Sequence, residues 1–209
     1  EIYRCDWSSD VCSSDLMLRN INAASGSSLV YSQFKTLEGT GVFGIALKAN
    51  DWDEIALTGK GEAVQFTDET IGSLARGPSA GRKRFILYTG DQAENRAVIL
   101  NIFNGNFAKL PPQIATHLEP FRQSGNLHGE LCKVFAISAA GAEGISLKNV
   151  RAVHIMEPYW NSARLDQVKG RAIRICSHAD LPVDERNVDI YTYCAVYPRD
   201  EKDKVTGKD

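Results

Sequence analysis

The stretch that decides the fold reads VFAISAAGAEG and occupies residues 134–144. It begins as a short apolar, β-prone run and continues as a loop of small residues that contains Gly141 and Gly144. This order predicts a buried strand that leads into a loop whose backbone can approach a ligand closely. A second apolar run, from Val150 to Met156, predicts another buried strand, and a turn then leads to a helix that begins near Asn161.

The predicted helix after Asn161 has two different sides. At about 100° per residue, one stripe is rich in hydrogen-bond donors and its neighbour is small and apolar. The donor stripe contains Arg164, Gln167, Arg171, Arg174 and His178, and the packing stripe contains Leu165, Val168, Ala172 and Cys176. Planar guanidinium groups suit phosphate oxygens. A solvated amphipathic helix is the other interpretation, but the strands and the loop that precede this helix favour phosphate binding.

The rest of the chain alternates strands with helices, which predicts an α/β fold with a parallel sheet and helices on both faces. We expect strands over residues 28–33, 85–88 and 188–196, a short strand from Ile55, and helices over residues 36–49, 92–103 and 112–123. Residues 72–83 are rich in glycine, serine and arginine and predict an exposed loop. The acidic pairs Asp53-Glu54 and Asp68-Glu69 predict solvated turns.

Taken in order, these segments resemble the C-terminal RecA-like lobe of superfamily 2 helicases and Swi/Snf-type ATPases. Residues 138–147 resemble motif V, residues 157–161 resemble the acidic-aromatic-Trp-Asn turn that follows it, and Gln167-x-x-Gly170-Arg171-x-x-Arg174 resembles motif VI. Residues 29–34 are similar to the motif IV strand, and residues 85–91 to the strand and turn after it. The resemblance covers about residues 28–197 and is greatest to helicase-like proteins of large double-stranded DNA viruses.

This resemblance implies an ATP site shared between two lobes. It implies that the lobe closes over ATP bound by an N-terminal lobe, with Arg171 and Arg174 as arginine fingers that stabilise charge on the transferring phosphoryl group. Gln167 is then the third catalytic residue and orients the γ-phosphate or the attacking water. Gly144 and Ser146 match motif V positions near the nucleotide sugar and the linkage between the lobes.

The same resemblance implies a nucleic-acid site at the ends of the strands. Ser138 matches the position that donates a hydrogen bond to a backbone phosphate, and the loop at Thr89 and Gly90 is a second candidate contact. Phosphate contacts position a protein without reading the base sequence. The implied partner is DNA or RNA, bound through its backbone.

Two motifs of a complete ATPase of this class are missing from the sequence. It contains neither a phosphate-cradling Gly-x-x-x-x-Gly-Lys-Ser/Thr loop nor an acidic metal-binding motif. ATP and Mg²⁺ are therefore expected to be held mainly by the N-terminal lobe, and this chain alone is expected to be inactive. The histidine and cysteine spacings predict no metal site.

Three residues near the motifs have structural interpretations. Glu143 stands where many helicases of the family have a basic residue, and a pair with Arg164 or Arg151 within the chain is the simpler account of it. Trp160 is expected to pack in its turn rather than to stack on a base. His178 is expected to complement the dipole at the end of the helix.

The composition predicts one domain with one substantial core. Of the 209 residues, 43 % are hydrophobic and 24 % are charged, and the net charge of −2 gives no global signal for nucleic acid. No apolar run approaches the roughly 20 residues of a spanning helix, and no signal peptide is evident. We therefore expect a soluble, intracellular protein with no membrane partner. The cysteines in apolar elements are expected to be buried, reduced thiols: Cys132, Cys176 and Cys194.

The first sixteen residues differ from the rest, since they repeat Ser-Ser-Asp without a helical or strand period. Ser-Ser-Asp-Leu can be encoded by a sequencing adapter, and a natural low-complexity leader is the alternative. We expect residues 1–16 to be a foreign or disordered leader, residues 17–198 to form the RecA-like domain, and residues 199–209 to be a charged tail or a truncated linker.

The sequence thus predicts the C-terminal lobe of a viral ATP-dependent helicase or translocase, an ATP hydrolase when full-length. Two other classes stay open: a non-catalytic helicase-like scaffold in a viral transcription or packaging complex, and the motor half of a restriction-type nuclease. An upstream reading frame would discriminate them by an intact phosphate loop, a degraded one or an attached nuclease motif. A viral protein of this kind is expected in the host cytoplasm or viral factory, the nucleus or the virion.

Overall fold

The computed structural model describes residues 2–6, 13–35, 39–78, 81–90, 93–142, 144–157 and 162–196. The strands are β1 (Ile2–Asp6), β2 (Ser27–Ser32), β3 (Asp53–Glu54), β4 (Leu57–Thr58), β5 (Gln65–Phe66), β6 (Arg84–Tyr88), β7 (Val134–Ser138), β8 (Val150–Ile155) and β9 (Asp189–Val196). The α-helices are α1 (Ser13–Ala23), α2 (Thr40–Ala49), α3 (Asp68–Ala75), α4 (Arg96–Phe103), α5 (Pro112–Ala115) and α6 (Ser162–Ala172). Short 3₁₀ helices cover Gly61–Ala63, Ala93–Asn95, Phe107–Lys109, Thr116–Phe121 and Val183–Glu185.

A seven-stranded sheet organises the fold, with the strand order β1-β9-β8-β2-β7-β6-β3. All of its neighbouring strands run parallel. Parallel neighbours need crossover connections, and these connections place helices on both faces of the sheet. The predicted α/β architecture, a parallel sheet with helices on both faces, is therefore confirmed. A separate antiparallel ladder joins β4 to β5.

Alternate side chains of the central strands pack into two cores, one on each face of the sheet. Leu29 and Tyr31 of β2 lie in the same core as Phe103 of α4 and Val168 of α6. Val30, between them in sequence, packs on the other face with side chains of α1 and α2. Successive side chains of a strand point to opposite faces, and here both faces are covered. The inner strands consequently read as continuous apolar runs, which is why β7 and β8 could be predicted.

Helix α6 ends at Ala172, earlier than the sequence pattern predicts. Two neighbours bind its last carbonyl groups. The Leu147 N–H donates to the Arg171 carbonyl oxygen at 3.1 Å, and the Ser177 hydroxyl donates to the Ala172 carbonyl oxygen at 3.1 Å. Carbonyls that are satisfied from outside end a helix as a C-cap does. Arg174 therefore lies just beyond α6 and not on the predicted helical stripe.

The expectations for His178 and Cys176 are corrected for the same reason. His178 lies in the turn after α6, where its Nε2 is 2.7 Å from the Val150 carbonyl oxygen, so it fastens this turn to β8 instead of complementing a helix dipole. Cys176 has a φ of 62° and is exposed, so it is not a buried thiol on a packing stripe. Cys132 is buried as predicted, and Cys194 is partly buried.

The segment predicted as an exposed loop over residues 72–83 begins inside a helix. Helix α3 covers Asp68–Ala75, and its N-cap is Thr67, whose side chain accepts a backbone N–H of the first turn. This capping threonine is the signal that identifies the helix. The acidic pair Asp68-Glu69, predicted as a solvated turn, forms the first turn of α3, where negative charge complements the helix dipole.

The other predicted helices exist with shorter bounds. Helix α2 begins at Thr40, and residues 36–38 of the prediction lie outside the described residues. The helix expected over residues 92–103 is a 3₁₀ turn followed by α4. The helix expected over residues 112–123 is α5 followed by a 3₁₀ helix that contains Pro120. Proline has no backbone N–H to donate, which prevents a regular α-helix there.

The first residues of the chain form structure where the sequence predicts none. Ile2–Asp6 forms β1, which pairs with β9 over its whole length. Without β1, β9 would be an edge strand, and its backbone donors and acceptors can pair with a neighbour without requiring a particular side-chain pattern. Helix α1 then begins at Ser13, inside the segment expected to be a leader. The expectation of disorder is therefore corrected for residues 2–6, and the foreign origin of this segment stays a prediction.

Val168→Asp is expected to destabilise the domain strongly, because Val168 is only 2 % exposed, in the core between α6 and the sheet. Burying a carboxylate there without a partner should cost about 3 kcal/mol or more, which lowers the melting temperature by about 10 °C. Gln167→Asp is the matched control, since residue 167 is exposed on the same helix. Thermal unfolding followed by circular dichroism measures both, and equal melting temperatures would contradict this placement of α6.

His154 in β8 is expected to make stability depend on pH. The side chain is fully buried, its Nδ1 lies 2.8 Å from the Tyr193 hydroxyl, and burial lowers its pKa from 6.5 to about 3. The unfolded chain binds this proton more readily, so the free energy of unfolding should fall as the pH drops below about 6.5, by about 2 kcal/mol between pH 7 and pH 5. Denaturant titrations at several pH values should show this loss in the parent and much less of it in His154→Asn. If the difference in unfolding free energy between the parent and His154→Asn does not vary with pH, the lowered pKa of His154 is refuted.

Candidate functional site

The loops that follow β2, β6, β7 and β8 leave the sheet on the same side, which we call the carboxyl edge. In parallel α/β sheets, ligands bind outside the carboxyl ends of the strands. The described parts of these loops are residues 33–35, 89–90, 139–142 and 156–157. The carboxyl edge is therefore where the predicted ligand contacts are expected.

Three predicted nucleic-acid contacts, Thr89, Gly90 and Ser138, lie together at the carboxyl edge. Gly90 has a φ of 91°, and a Cβ at this position would lie 3.3 Å from Ala140 of the loop after β7, so glycine lets the two loops approach. The Ser138 hydroxyl donates to the Thr89 carbonyl oxygen at 3.2 Å, and Ser138 is 1 % exposed. Ser138 thus joins the two loops, and its hydroxyl is not presented to solvent as the resemblance implied.

Glu157 ties the end of β8 to the end of β2 at the same edge. Its carboxylate oxygens accept hydrogen bonds from the Ser32 hydroxyl at 2.9 and 3.1 Å, and one of them accepts from the Gln33 N–H at 3.0 Å. The Ser32 Oγ also accepts the Phe34 N–H at 3.0 Å. These bonds fix the backbone of the loop after β2. Trp160, predicted to pack in the turn that Glu157 begins, lies outside the described residues.

The connection from β7 to β8 contacts the Arg96 side chain of α4 and is hydrogen-bonded to Asn104 at the end of that helix. Near the start of α4, Gly144 has a φ of 64° and packs so closely on the Arg96 guanidinium that a Cβ would collide with it. At the end of α4, Asn104 Nδ2 donates to the Ser146 carbonyl oxygen at 3.0 Å. The Asn104 Oδ1 accepts the Lys148 N–H at 2.8 Å. Gly144 and Ser146, the predicted nucleotide contacts, are both exposed along this connection.

The catalytic residues implied by motif VI lie on and just after α6. Gln167 and Arg174 are exposed, and Arg171 is half-buried. The Arg174 Nε donates to the Gly170 carbonyl oxygen at 3.2 Å, so the start of this guanidinium folds back over the end of α6. The Arg171 Nε is buried and has no hydrogen-bond partner within the described part of the chain. A buried donor without a partner costs free energy, and an anion beside it would remove that cost.

The connection and α6 meet directly, because the Leu147 N–H is bonded to the Arg171 carbonyl oxygen. Ser146 therefore lies next in sequence to a residue that is hydrogen-bonded to α6. The structure thus brings the end of motif V beside Arg171. Gly144 lies farther along the connection, toward the carboxyl edge.

Two residues at these places were missed by sequence reasoning. Arg96 is the first residue of α4 and packs against Gly144. In the sequence, it is a basic residue shortly after the Thr89-Gly90 loop, and this position could have marked it as a candidate. Phe34, assigned by resemblance to a strand, lies beyond the end of β2 and is exposed. A large apolar residue between polar neighbours was the available signal.

Arg151, one of the two predicted partners of Glu143, is bonded elsewhere. It donates to Glu185 at 3.1 Å and to the Asn187 side chain at 2.6 Å. Glu143 lies outside the described residues, and so does the side chain of Arg164. The Glu143–Arg164 pair stays a prediction.

Within the described residues, no group of three or more His, Cys, Asp or Glu side chains is arranged to hold a metal ion. None of their helices is both long enough and apolar enough to cross a bilayer.

Comparison with known proteins relates this chain to viral proteins. Residues 113–176 match the family described as the helicase conserved C-terminal domain. A protein of Acanthamoeba polyphaga mimivirus, whose name describes an ATP-dependent RNA helicase, is 32 % identical over 182 residues, which cover 87 % of this chain and 25 % of that protein. A termination factor NPH-I homologue of African swine fever virus is 34 % identical over 198 residues, which cover 86 % of this chain and 25 % of that protein. The chain spans about a quarter of the length of both relatives.

A solved structure supports the same relationship at the level of the fold. The crystal structure of the C-terminal part of the Fun30 ATPase domain matches 94 % of this chain and 45 % of that chain, with a TM-score of 0.51 and 15 % sequence identity. At this identity the match shows the fold alone. Together, the parallel sheet, the matched family and the viral relatives confirm that this chain is similar to the C-terminal RecA-like lobe of superfamily 2 helicases and Swi/Snf-type ATPases, and to the helicase-like proteins of large DNA viruses.

Proposed function

We propose that this chain is the C-terminal lobe of an ATP-dependent nucleic-acid helicase or translocase, and that it supplies Arg171 and Arg174 to ATP bound by an N-terminal lobe. One observation carries this proposal: the buried Arg171 Nε lacks a partner within the described residues, at the point where α6 is hydrogen-bonded to the connection from β7 to β8. Phosphate oxygens are the acceptors that best suit a guanidinium group in such a position.

The proposed chemistry is transfer of the terminal phosphoryl group of ATP to water. The two guanidinium groups stabilise the negative charge that spreads over the phosphoryl oxygens in the transition state. Gln167, one turn before Arg171, orients the attacking water or the γ-phosphate. Mg²⁺, when held by the N-terminal lobe, neutralises charge on the β- and γ-phosphates. The chain alone offers ATP only part of a site, so we expect no turnover from it.

The proposed nucleic-acid contact is the carboxyl edge, where Thr89, Gly90 and the loop after Ser138 meet. Because the Ser138 hydroxyl is bonded to Thr89, the contacts to phosphates come from the backbone and the exposed side chains of these loops. Closure of the two lobes over ATP and their opening after hydrolysis would alternately tighten and weaken the contacts of each lobe with the nucleic-acid backbone, and this alternation would move the protein along the strand. The partner is DNA or RNA, and for a viral protein the setting is the infected host cell or the virion.

A non-catalytic role in transcription is the second candidate, and the termination-factor name of the African swine fever virus relative favours it. In that case the lobe keeps the fold and its binding surfaces, and Arg171 and Arg174 take no part in ATP hydrolysis. A motor half of a nuclease has no specific support among the described residues. The variants below separate the first candidate from the second.

Arg171→Ala is expected to abolish ATP hydrolysis when this chain is joined to the N-terminal portion of the mimivirus relative. The rate should fall by about three orders of magnitude or more, with ATP affinity reduced much less, because the guanidinium acts mainly on charge in the transition state. Arg171→Lys should not restore the rate, since an ammonium lacks the planar fork. Lys169→Ala is the matched control on the same helix and should stay within about twofold of the parent. Steady-state ATPase assays measure all four proteins.

Arg174→Ala belongs to the same experiment, and melting temperatures provide its check on folding. Both alanine variants remove side chains that are at least partly exposed, so they should change stability by only about 0.5 kcal/mol. The unfused chain gives the baseline, at which no turnover is expected. Hydrolysis at the parent rate by both alanine variants would sink the arginine-finger proposal, and a parent fusion that folds but does not hydrolyse ATP would favour the scaffold.

Nucleic-acid binding by this chain is expected to be weak, indifferent to sequence and steeply reduced by salt, because phosphate contacts act through counterion release. Gly90→Ala should weaken it severalfold, since a Cβ there would force apart the loops after β6 and β7. Gly77→Ala is the matched control, with a similar positive φ but open space around it, at a place that precedes β6. Titrations of two unrelated oligonucleotides at about 50 and 200 mM salt test this. A strong preference for one base sequence would contradict binding through phosphates. Equal effects of the two glycine substitutions would contradict binding at the carboxyl edge.

A further inference from the structure

Phe34 is an exposed aromatic residue in the middle of the carboxyl edge. It follows β2, the strand that lies between β7 and β8 in the sheet. The residue is 44 % exposed. Phe34 therefore lies just beyond the end of β2, next to the strands that end at Ser138 and near Glu157.

The backbone of Phe34 is held from both sides. Its N–H donates to the Ser32 Oγ at 3.0 Å, and its carbonyl oxygen accepts the Thr40 N–H at 3.3 Å. Gly39 packs so closely on the same carbonyl oxygen that a Cβ there would collide with it. Ser32 is in turn bonded to Glu157. The ring is thus attached to a fixed piece of backbone, so little conformational entropy is lost when a ligand contacts it.

An exposed ring beside a phosphate-binding edge has a well-defined use. Proteins that bind single strands combine a groove that follows the backbone with aromatic side chains on which bases stack, and this stacking tolerates any sequence because every base has a π-face. The neighbours of Phe34 in sequence are Gln33 and Lys35, an amide and a cation that suit the polar parts of a nucleotide.

We propose that Phe34 is a stacking platform for a nucleobase of single-stranded DNA or RNA whose backbone lies along the carboxyl edge. This inference rests on the proposed function and adds a base contact to it. The lobe then binds single strands in preference to paired ones, because a base in a duplex must be unpaired from its partner and unstacked from its neighbours to reach the ring. It does so without reading the sequence.

A protein surface is the competing occupant of this region. Val42 and Ile45 of α2 are 40 % and 67 % exposed, and a docked protein would cover them together with Phe34. Phe34, however, is anchored through Ser32 and Glu157 to the ends of β2 and β8. It therefore belongs to the carboxyl edge, whereas Val42 and Ile45 lie on a helix that covers one face of the sheet.

The test uses the whole chain and a single-stranded oligonucleotide that contains 2-aminopurine, whose fluorescence is quenched when it stacks. Phe34→Ala is expected to lower affinity about tenfold and to remove most of the quenching, and Phe34→Trp should retain both. DNA and RNA versions are titrated separately. An oligomer of the same length without bases should bind the parent and Phe34→Ala equally, because only its phosphates make contact.

The matched control is the double variant Val42→Ala/Ile45→Ala, which removes exposed apolar surface from α2 and should leave affinity and quenching unchanged. Equal affinity and quenching in the parent and Phe34→Ala would overturn the stacking proposal. So would an equal loss in the double variant, which would indicate a general apolar surface of the kind that docks proteins. If the parent binds the base-free oligomer as tightly as the normal one, stacking is refuted and the proposed backbone contact stands. If the parent binds no oligomer at low salt, both proposals fail.

Discussion

The pairing of β2 with a parallel neighbour on each side is the constraint on which the rest of this lobe depends. Its hydrogen bonds to β7 and β8 bury it along both edges, and side chains bury it on both faces. Parallel neighbours oblige the chain to leave at one edge of the sheet and to return at the other. The loops after β2, β6, β7 and β8 are gathered at one edge for this reason, and the residues implied by a distant resemblance become neighbours there.

Some of this could be predicted because it depends on local patterns. The buried strands β6, β7 and β8 show as apolar runs, and their alternation with helices fixes the parallel class. The missed features depend on contacts between distant parts of the chain. The end of α6 is an example, because the Leu147 N–H binds the Arg171 carbonyl oxygen and no periodic pattern indicates a donor that comes from another part of the chain. The capping Thr67 is the exception, since it was a local signal that went unused.

The candidate site shows the same division between what the sequence could and could not predict. Motif spacing placed Gly144, Ser146 and Arg171 near one another, and the connection from β7 to β8 does lead from the first two to α6. Motif spacing could not predict the hydrogen-bond partner of Ser138, because the Thr89 carbonyl oxygen that accepts the hydrogen bond is 49 residues away along the chain. Nor could it single out Phe34, whose exposure depends on where β2 ends and how the following loop folds.

The hydrogen bonds of Asn104 have a mechanical consequence. Its side chain joins the end of α4 to the connection from β7 to β8 at Ser146 and Lys148, on either side of Leu147, whose N–H is hydrogen-bonded to the Arg171 carbonyl oxygen of α6. The ends of α4 and α6 are therefore linked through three consecutive residues. A displacement of the end of α6 would be passed to the end of α4 through these hydrogen bonds.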